Sequence, residues 1–159
     1  MTVRLIEYPG YEHVMTYAGC VIEPGCDFGL GVKVGYNTVI EEGVKVGSHV
    51  RIFHLCNITA GAIIEDDVFI GPGVIMSNTN KISHGRSLEY TGHRAPPIIR
   101  QGARIGSNVT ILPGVVIGRE ALVGAGSVVT KHCVAFGVYI GSPAKWTKEV
   151  PGRERLHIG

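Results

Sequence analysis

Residues 28–76 read FGLGVKVGYNTVIEEGVKVGSHVRIFHLCNITAGAIIEDDVFIGPGVIM, and their apolar positions recur at a single step. Every sixth residue from Ile22 is apolar: Ile22, Phe28, Val34, Ile40, Val46, Ile52, Ile58, Ile64, Ile70 and Met76. A second run with the same step occupies Ile99, Ile105, Ile111, Ile117, Val123 and Val129. At the chain's overall apolar frequency such a set arises by chance roughly once in 10^5 to 10^6 trials. Four residues after each anchor comes a small or β-branched residue, as at Cys26, Val32, Thr38, Ala62, Ala103 and Ser127. Glycine often follows the anchor, at Gly29, Gly35, Gly47, Gly71, Gly106, Gly118 and Gly124, where a corner needs either positive φ or close backbone approach.

A period of six fits neither a helix nor a long strand. It fits a coil of short flat faces, three hexads to a triangular rung, with neighbouring rungs roughly 4.8 Å apart. Ile22 then stacks on Ile40, Ile58 and Met76. The predicted fold is an all-β parallel β-helix in a single domain, 1–159. Residues 1–20 are expected to form an N-terminal cap, 21–76 and 98–140 the rungs, 77–97 an extruded loop, and 141–159 a C-terminal cap and tail.

Composition narrows the function. The chain's 159 residues suit one domain rather than two, and its formal charge of +2 lacks the basic excess expected of a nucleic-acid binder. The N-terminal MTVRLIEYPG has no apolar signal core, and no window is apolar enough to span a bilayer, so a soluble, cytoplasmic protein with no membrane partner is expected. All four cysteines, Cys20, Cys26, Cys56 and Cys133, fall on the small interior slot. With no CxxC pair they read as buried packing residues.

The excursion SNTNKISHGRSLEYTGHRAPP, residues 77–97, is polar and breaks the phase of the repeat. A polar loop of this length on a rigid scaffold points to function. Beyond it come GARIGSNVTILPGVVIGREALVGAGSVVTK, 102–131, and GSPAK, 141–145.

These stretches closely resemble the hexapeptide-repeat acyltransferases. The resemblance implies a left-handed coil, a homotrimer, and acetyl-CoA as co-substrate lying along the solenoid near a subunit boundary. It places Ser107, Gly124 and Ala125 beside pantetheine, Thr130 and Lys131 near the adenine end, and Lys145 near the phosphates. IEDDVFIGPGV at 64–74, followed by Asn78, is most similar to the sugar-nucleotide N-acetyltransferases, although Thr79, Asn80, Lys81 and Ile82 depart from their usual Asp and Pro-Arg.

Acetyl transfer needs a nucleophile at near-attack distance from the thioester and donors where the oxyanion develops. His84 is the expected general base, with His54 and His93 as rivals that could instead bind substrate. Asn78 is expected to orient the nucleophile or hold the acetyl oxygen, and Arg86 and Arg94 to pair with a diphosphate or carboxylate. Three alternatives remain. One is a sugar O-acetyltransferase. Another is a zinc enzyme similar to the γ-class carbonic anhydrases, using His49, His54 and a third ligand among His13, His84 and His93. The last is a non-catalytic scaffold, with Trp146 and the tail as a docking surface.

Overall fold

The computed structural model describes residues 10–11, 13–84 and 93–156. Each hexad is a two-residue strand followed by a corner, and the strands stack into three parallel ladders. Face I runs from Met15–Thr16 through Lys33–Val34, Arg51–Ile52, Phe69–Ile70, Arg104–Ile105 and Leu122–Val123 to Gly137–Ile140, and ends on the antiparallel strand Lys145–Glu149. Face II stacks Val21–Ile22, Val39–Ile40, Asn57–Ile58, Ile75–Met76, Thr110–Ile111 and Val128–Val129. Face III stacks Asp27–Phe28, Lys45–Val46, Ile63–Ile64, Ile98–Ile99 and Val116–Ile117. The chain is an all-β parallel solenoid, whose one helical piece among the described residues is a 3-10 turn at Gly152–Glu154. Face I begins at Met15, inside the stretch expected to be a cap.

The anchors point inward and stack on their own kind. Ile22 lies over Ile40 and Ile40 over Ile58, while Met76 pairs with Ile111 and Ile111 with Val129. Every anchor from Phe28 to Val129 is buried; Ile22, in the first coil of its face, is only partly so. The second slot is equally closed, and it admits polar atoms only where they are bonded: buried Thr38 donates its hydroxyl to Phe53 O at 2.8 Å. The cysteines are free thiols in this column. Cys20, Cys26 and Cys56 donate to Gly35 O, Glu41 O and Gly71 O at 2.9, 3.1 and 3.2 Å. Burial raises all four pKa values, that of Cys133 to about 12.

The two glycine roles separate by position. A Cβ at Gly29, Gly47, Gly71, Gly106 or Gly118 would lie 2.5–2.8 Å from a backbone nitrogen of the next coil, so these positions are glycine because coils stack closely. Positive φ falls two residues later, at Gly31, Gly43, Gly61, Gly73 and Gly126, and also at Asn37, His49, Leu55 and Asn108. The anchor-following glycines are therefore a matter of contact rather than of turn conformation.

The excursion leaves the corner between faces II and III and returns to it without disturbing the coil. Ile64 stacks on Ile99, Ile70 on Ile105 and Met76 on Ile111 across the gap. Its base is pinned by an antiparallel bridge between Thr79 and Arg94 and by the Ala95 N–H donating to Asn78 O at 2.6 Å. At the far end the tail folds back over the corner between faces III and I, where buried Glu120 accepts the Leu156 N–H on both carboxylate oxygens, at 3.0 and 3.2 Å.

Candidate functional site

One column of corner residues organises the surface between faces I and II. Ala18, Tyr36, His54, Pro72, Ser107 and Ala125 occupy the same position in successive coils. They are tied together by Asn37 N–H to Ala18 O, Leu55 N–H to Tyr36 O, Gly73 N–H to His54 O, Asn108 N–H to Pro72 O and Gly126 N–H to Ser107 O, at 2.8–3.2 Å. At the other corners the equivalent amide is commonly capped by a side chain from an adjacent coil: Leu30 N–H by Ser48 Oγ, Ser48 N–H by Asp66 Oδ1, Ala60 N–H by Glu41 Oε2. In this column Tyr36 N–H is capped by His54 Nδ1 at 2.9 Å. Beyond it the residues that follow His54 and Ser107 are Pro72 and Ala125, which offer no side-chain acceptor. Among the described residues nothing accepts the N–H of His54, Ser107 or Ala125.

The residues that the resemblance assigns to acetyl-CoA thus fall into two groups. Ser107, Gly124 and Ala125 share the I–II ridge, where open amides and short side chains suit an amide-bearing arm. Gly106 is not itself evidence of a ligand, since a Cβ there would meet Ala125 N at 2.6 Å and stacking alone accounts for it; one on Gly124 would meet the Ile140 side chain, at 3.0 Å from Cγ1. Thr130 and Lys131 are exposed and lie across face II, on the II–III corner. Lys145 is exposed at the start of the last strand, directly after a segment that closes over face II through Val128 N–H to Gly141 O and Ala144 N–H to Val128 O.

The acceptor-side residues are also divided. Asn78 is held at the II–III corner, its Nδ2 donating to Ala60 O at 3.2 Å and its Oδ1 accepting from Thr79 Oγ1 at 3.1 Å. It lines a hollow of about 580 Å³ with Glu23, Glu41, Glu42, Thr79 and Arg94. Arg94, expected to meet a diphosphate, is engaged by Glu42 at 3.2 Å, and three carboxylates make this hollow unfavourable to an anion. His84 and His93 are both exposed on the excursion, and Arg86 lies outside the described residues. Within one chain Asn78, on the II–III corner, and Ser107 and Ala125, on the I–II ridge, stand on opposite edges of face II.

His54 does join the ridge that carries Ser107 and Ala125. His49 sits at the opposite end of the Arg51–Ile52 strand, on the III–I corner, with Nδ1 3.7 Å from Asp67 Oδ1. The two histidines do not converge on a zinc position within a chain, and His13 is spent on Phe28 O at 2.9 Å. Among the described residues no three His, Cys, Asp or Glu side chains come together to hold a metal.

Sequence reading missed the company His54 keeps. Tyr17, Lys33, Tyr36, Arg51 and Phe53 line a cavity of about 510 Å³ with it. The signal was present at a step of eighteen rather than six, since Lys33 and Arg51, and Tyr36 and His54, are one full coil apart.

The family description "Bacterial transferase hexapeptide (six repeats)" matches residues 96–131. Serine acetyltransferase of Salmonella typhimurium is 34% identical over 116 residues, covering 72% of this chain and 39% of the relative. The chain carries the hexapeptide repeat of the bacterial transferases. It spans about two fifths of the length of the serine acetyltransferases it matches. Among solved structures, a variant of the N-acyltransferase AntD of Bacillus cereus, in complex with dTDP and coenzyme A, shares the fold with a TM-score of 0.81 at 21% identity, over 88% of this chain and 82% of that one. A hexapeptide-repeat acetyltransferase of Vibrio cholerae, complexed with acetyl coenzyme A, gives a TM-score of 0.68 at 25% identity, over 84% and 72%. No helix among the described residues is long and apolar enough to cross a membrane.

Proposed function

We propose that this chain transfers an acetyl group from acetyl-CoA to an amino group of a nucleotide-linked sugar. The observation that carries the reading is the I–II ridge, where the open amides of Ser107 and Ala125 continue the column that holds His54. In this reading those amides meet the pantetheine arm, while Lys131, Thr130 and Lys145 serve the nucleotide end of the cofactor. The reaction forms a C–N bond at the thioester carbonyl, breaks the C–S bond and releases coenzyme A as its thiol, the proton lost by the amine passing by way of the base to the leaving sulfur. His84 takes that proton and Asn78 orients the amine.

Because face II lies between Asn78 and the ridge in one chain, this reading brings them together across a boundary between copies, with Asn78 of one subunit facing the ridge of the next. A homotrimer is the assembly proposed. The test is a transfer assay with radiolabelled acetyl-CoA against nucleotide-linked amino sugars, hydroxyl sugars and free serine. Label on the amino sugar supports the reading. Label only on a hydroxyl moves the acceptor class, and no transfer together with no cofactor binding overturns it.

A further inference from the structure

The cavity around His54 differs in its chemistry from the acidic hollow around Asn78. Its about 510 Å³ falls in the range that takes small ligands, roughly 300–1,000 Å³. Its walls are aromatic: Tyr17 and Tyr36 have centroids 5.1 Å apart, Tyr36 and His54 5.2 Å, and Phe53 and His54 5.8 Å. Beside these rings Lys33 and Arg51 stand in register on adjacent strands of face I, both exposed. No acidic residue lines the cavity, and among the described residues no carboxylate pairs with either cation, whereas Arg94, Arg100 and Arg155 each have one.

Two unpaired cations beside a stack of rings match a planar heterocycle carrying phosphates. The state of His54 adds a third feature. A backbone N–H can only donate, so Nδ1 must be the acceptor nitrogen and the neutral ring carries its proton on Nε2. His54 is thereby fixed as a hydrogen-bond donor rather than a base. The ridge then continues through Gly71, Pro72 and Gly73, without a long side chain, to Ser107.

We infer that this cavity binds a nucleoside diphosphate, its base against Tyr17, Tyr36 and His54 and its phosphates on Lys33 and Arg51. The inference rests on the acyl-transfer reading for its biological meaning: the nucleotide half of the acceptor sits at one end of the ridge and the thioester at the other. The same chemistry is present in the adenosine diphosphate portion of coenzyme A, and the experiment separates the two sources.

Calorimetric titrations with UDP, dTDP and coenzyme A are compared for the native chain, for the pair Lys33→Met and Arg51→Met, for Tyr36→Leu, and for Lys45→Met on face III as a charge control, each checked for an unchanged melting transition. Expected is binding of a nucleoside diphosphate that weakens at least tenfold in the Lys33/Arg51 pair, weakens as salt rises, and is unaffected in Lys45→Met. If saturating coenzyme A leaves that binding intact, the site belongs to the acceptor. If coenzyme A competes and loses affinity in the same pair, the site belongs to the cofactor. Absence of nucleotide binding, or binding that the Lys33/Arg51 pair and Tyr36→Leu leave unchanged, overturns the inference. Because it reads binding alone, this result stands apart from success or failure of the transfer assay.

Discussion

The backbone amide of Tyr36 donates to Nδ1 of His54, one coil further along, at 2.9 Å. A side chain expected to compete for the role of base is thus committed to closing a turn. Nitrogen NMR of the native chain is expected to show the His54 ring as the Nε2–H tautomer. His54→Ala removes the acceptor and should cost about 1 kcal/mol in urea unfolding, while His54→Asn, which restores an acceptor, recovers part of it. An Nδ1–H tautomer would contradict the geometry.

Gly106 and Gly126 face different constraints although they lie on one ridge. Gly106→Ala puts a methyl 2.6 Å from Ala125 N, against backbone that cannot retreat without opening the ladder, so a loss of about 3 kcal/mol or more, or failure to fold, is expected. Gly126 has φ of 70° and open space around it. Gly126→Ala should cost only about 1–2 kcal/mol, the penalty of a left-handed alanine. Equal effects of the two changes in thermal unfolding would refute the distinction between contact and conformation.

The interior thiols predict an alkaline limit. Cys133 titrates near 12 in the folded chain and near its ordinary value of 9.0 when unfolded, so the unfolded chain loses its proton first as pH rises. Stability from this group is complete below about pH 8 and erodes as pH climbs through 9 toward 12. Urea midpoints should therefore fall over that window and fall less in Cys133→Ala. At pH 8 a disulfide reagent should label none of the four thiols until denaturant is added.

Glu120 holds the tail against the III–I corner by accepting the Leu156 N–H while itself buried. Glu120→Ala is expected to cost about 1–3 kcal/mol and to speed proteolysis near Arg153 and Arg155. Removal of the charge alone, in Glu120→Gln, keeps one acceptor and should cost less. Limited trypsin digestion followed by mass measurement distinguishes them.

The hexad anchors made the core legible, because an inward residue in every face obeys one step and a single polar error would have been visible. The break after Met76 located the excursion for the same reason. What the step of six did not display was which corner a residue occupies. Asn78 stands on the II–III edge of the prism and Ser107 on the I–II edge, and Lys33 and Arg51 come into register only one full coil apart. Corner identity repeats only every third hexad, so the outward chemistry has to be read at eighteen residues. Tertiary contacts further decided that Arg94 meets Glu42, which no spacing within the excursion announced.

Since Ile64 stacks on Ile99 as though nothing intervened, the ladders carry across the insertion, and the coil is tied to the insertion at its base, through Asn78 and through Arg94, Ala95 and Pro97. Beyond that base, inserts of other lengths can be grafted without rewinding the spring. New chemistry is thereby open to trial at that edge, in evolution or at the bench, while the coil on either side keeps its register.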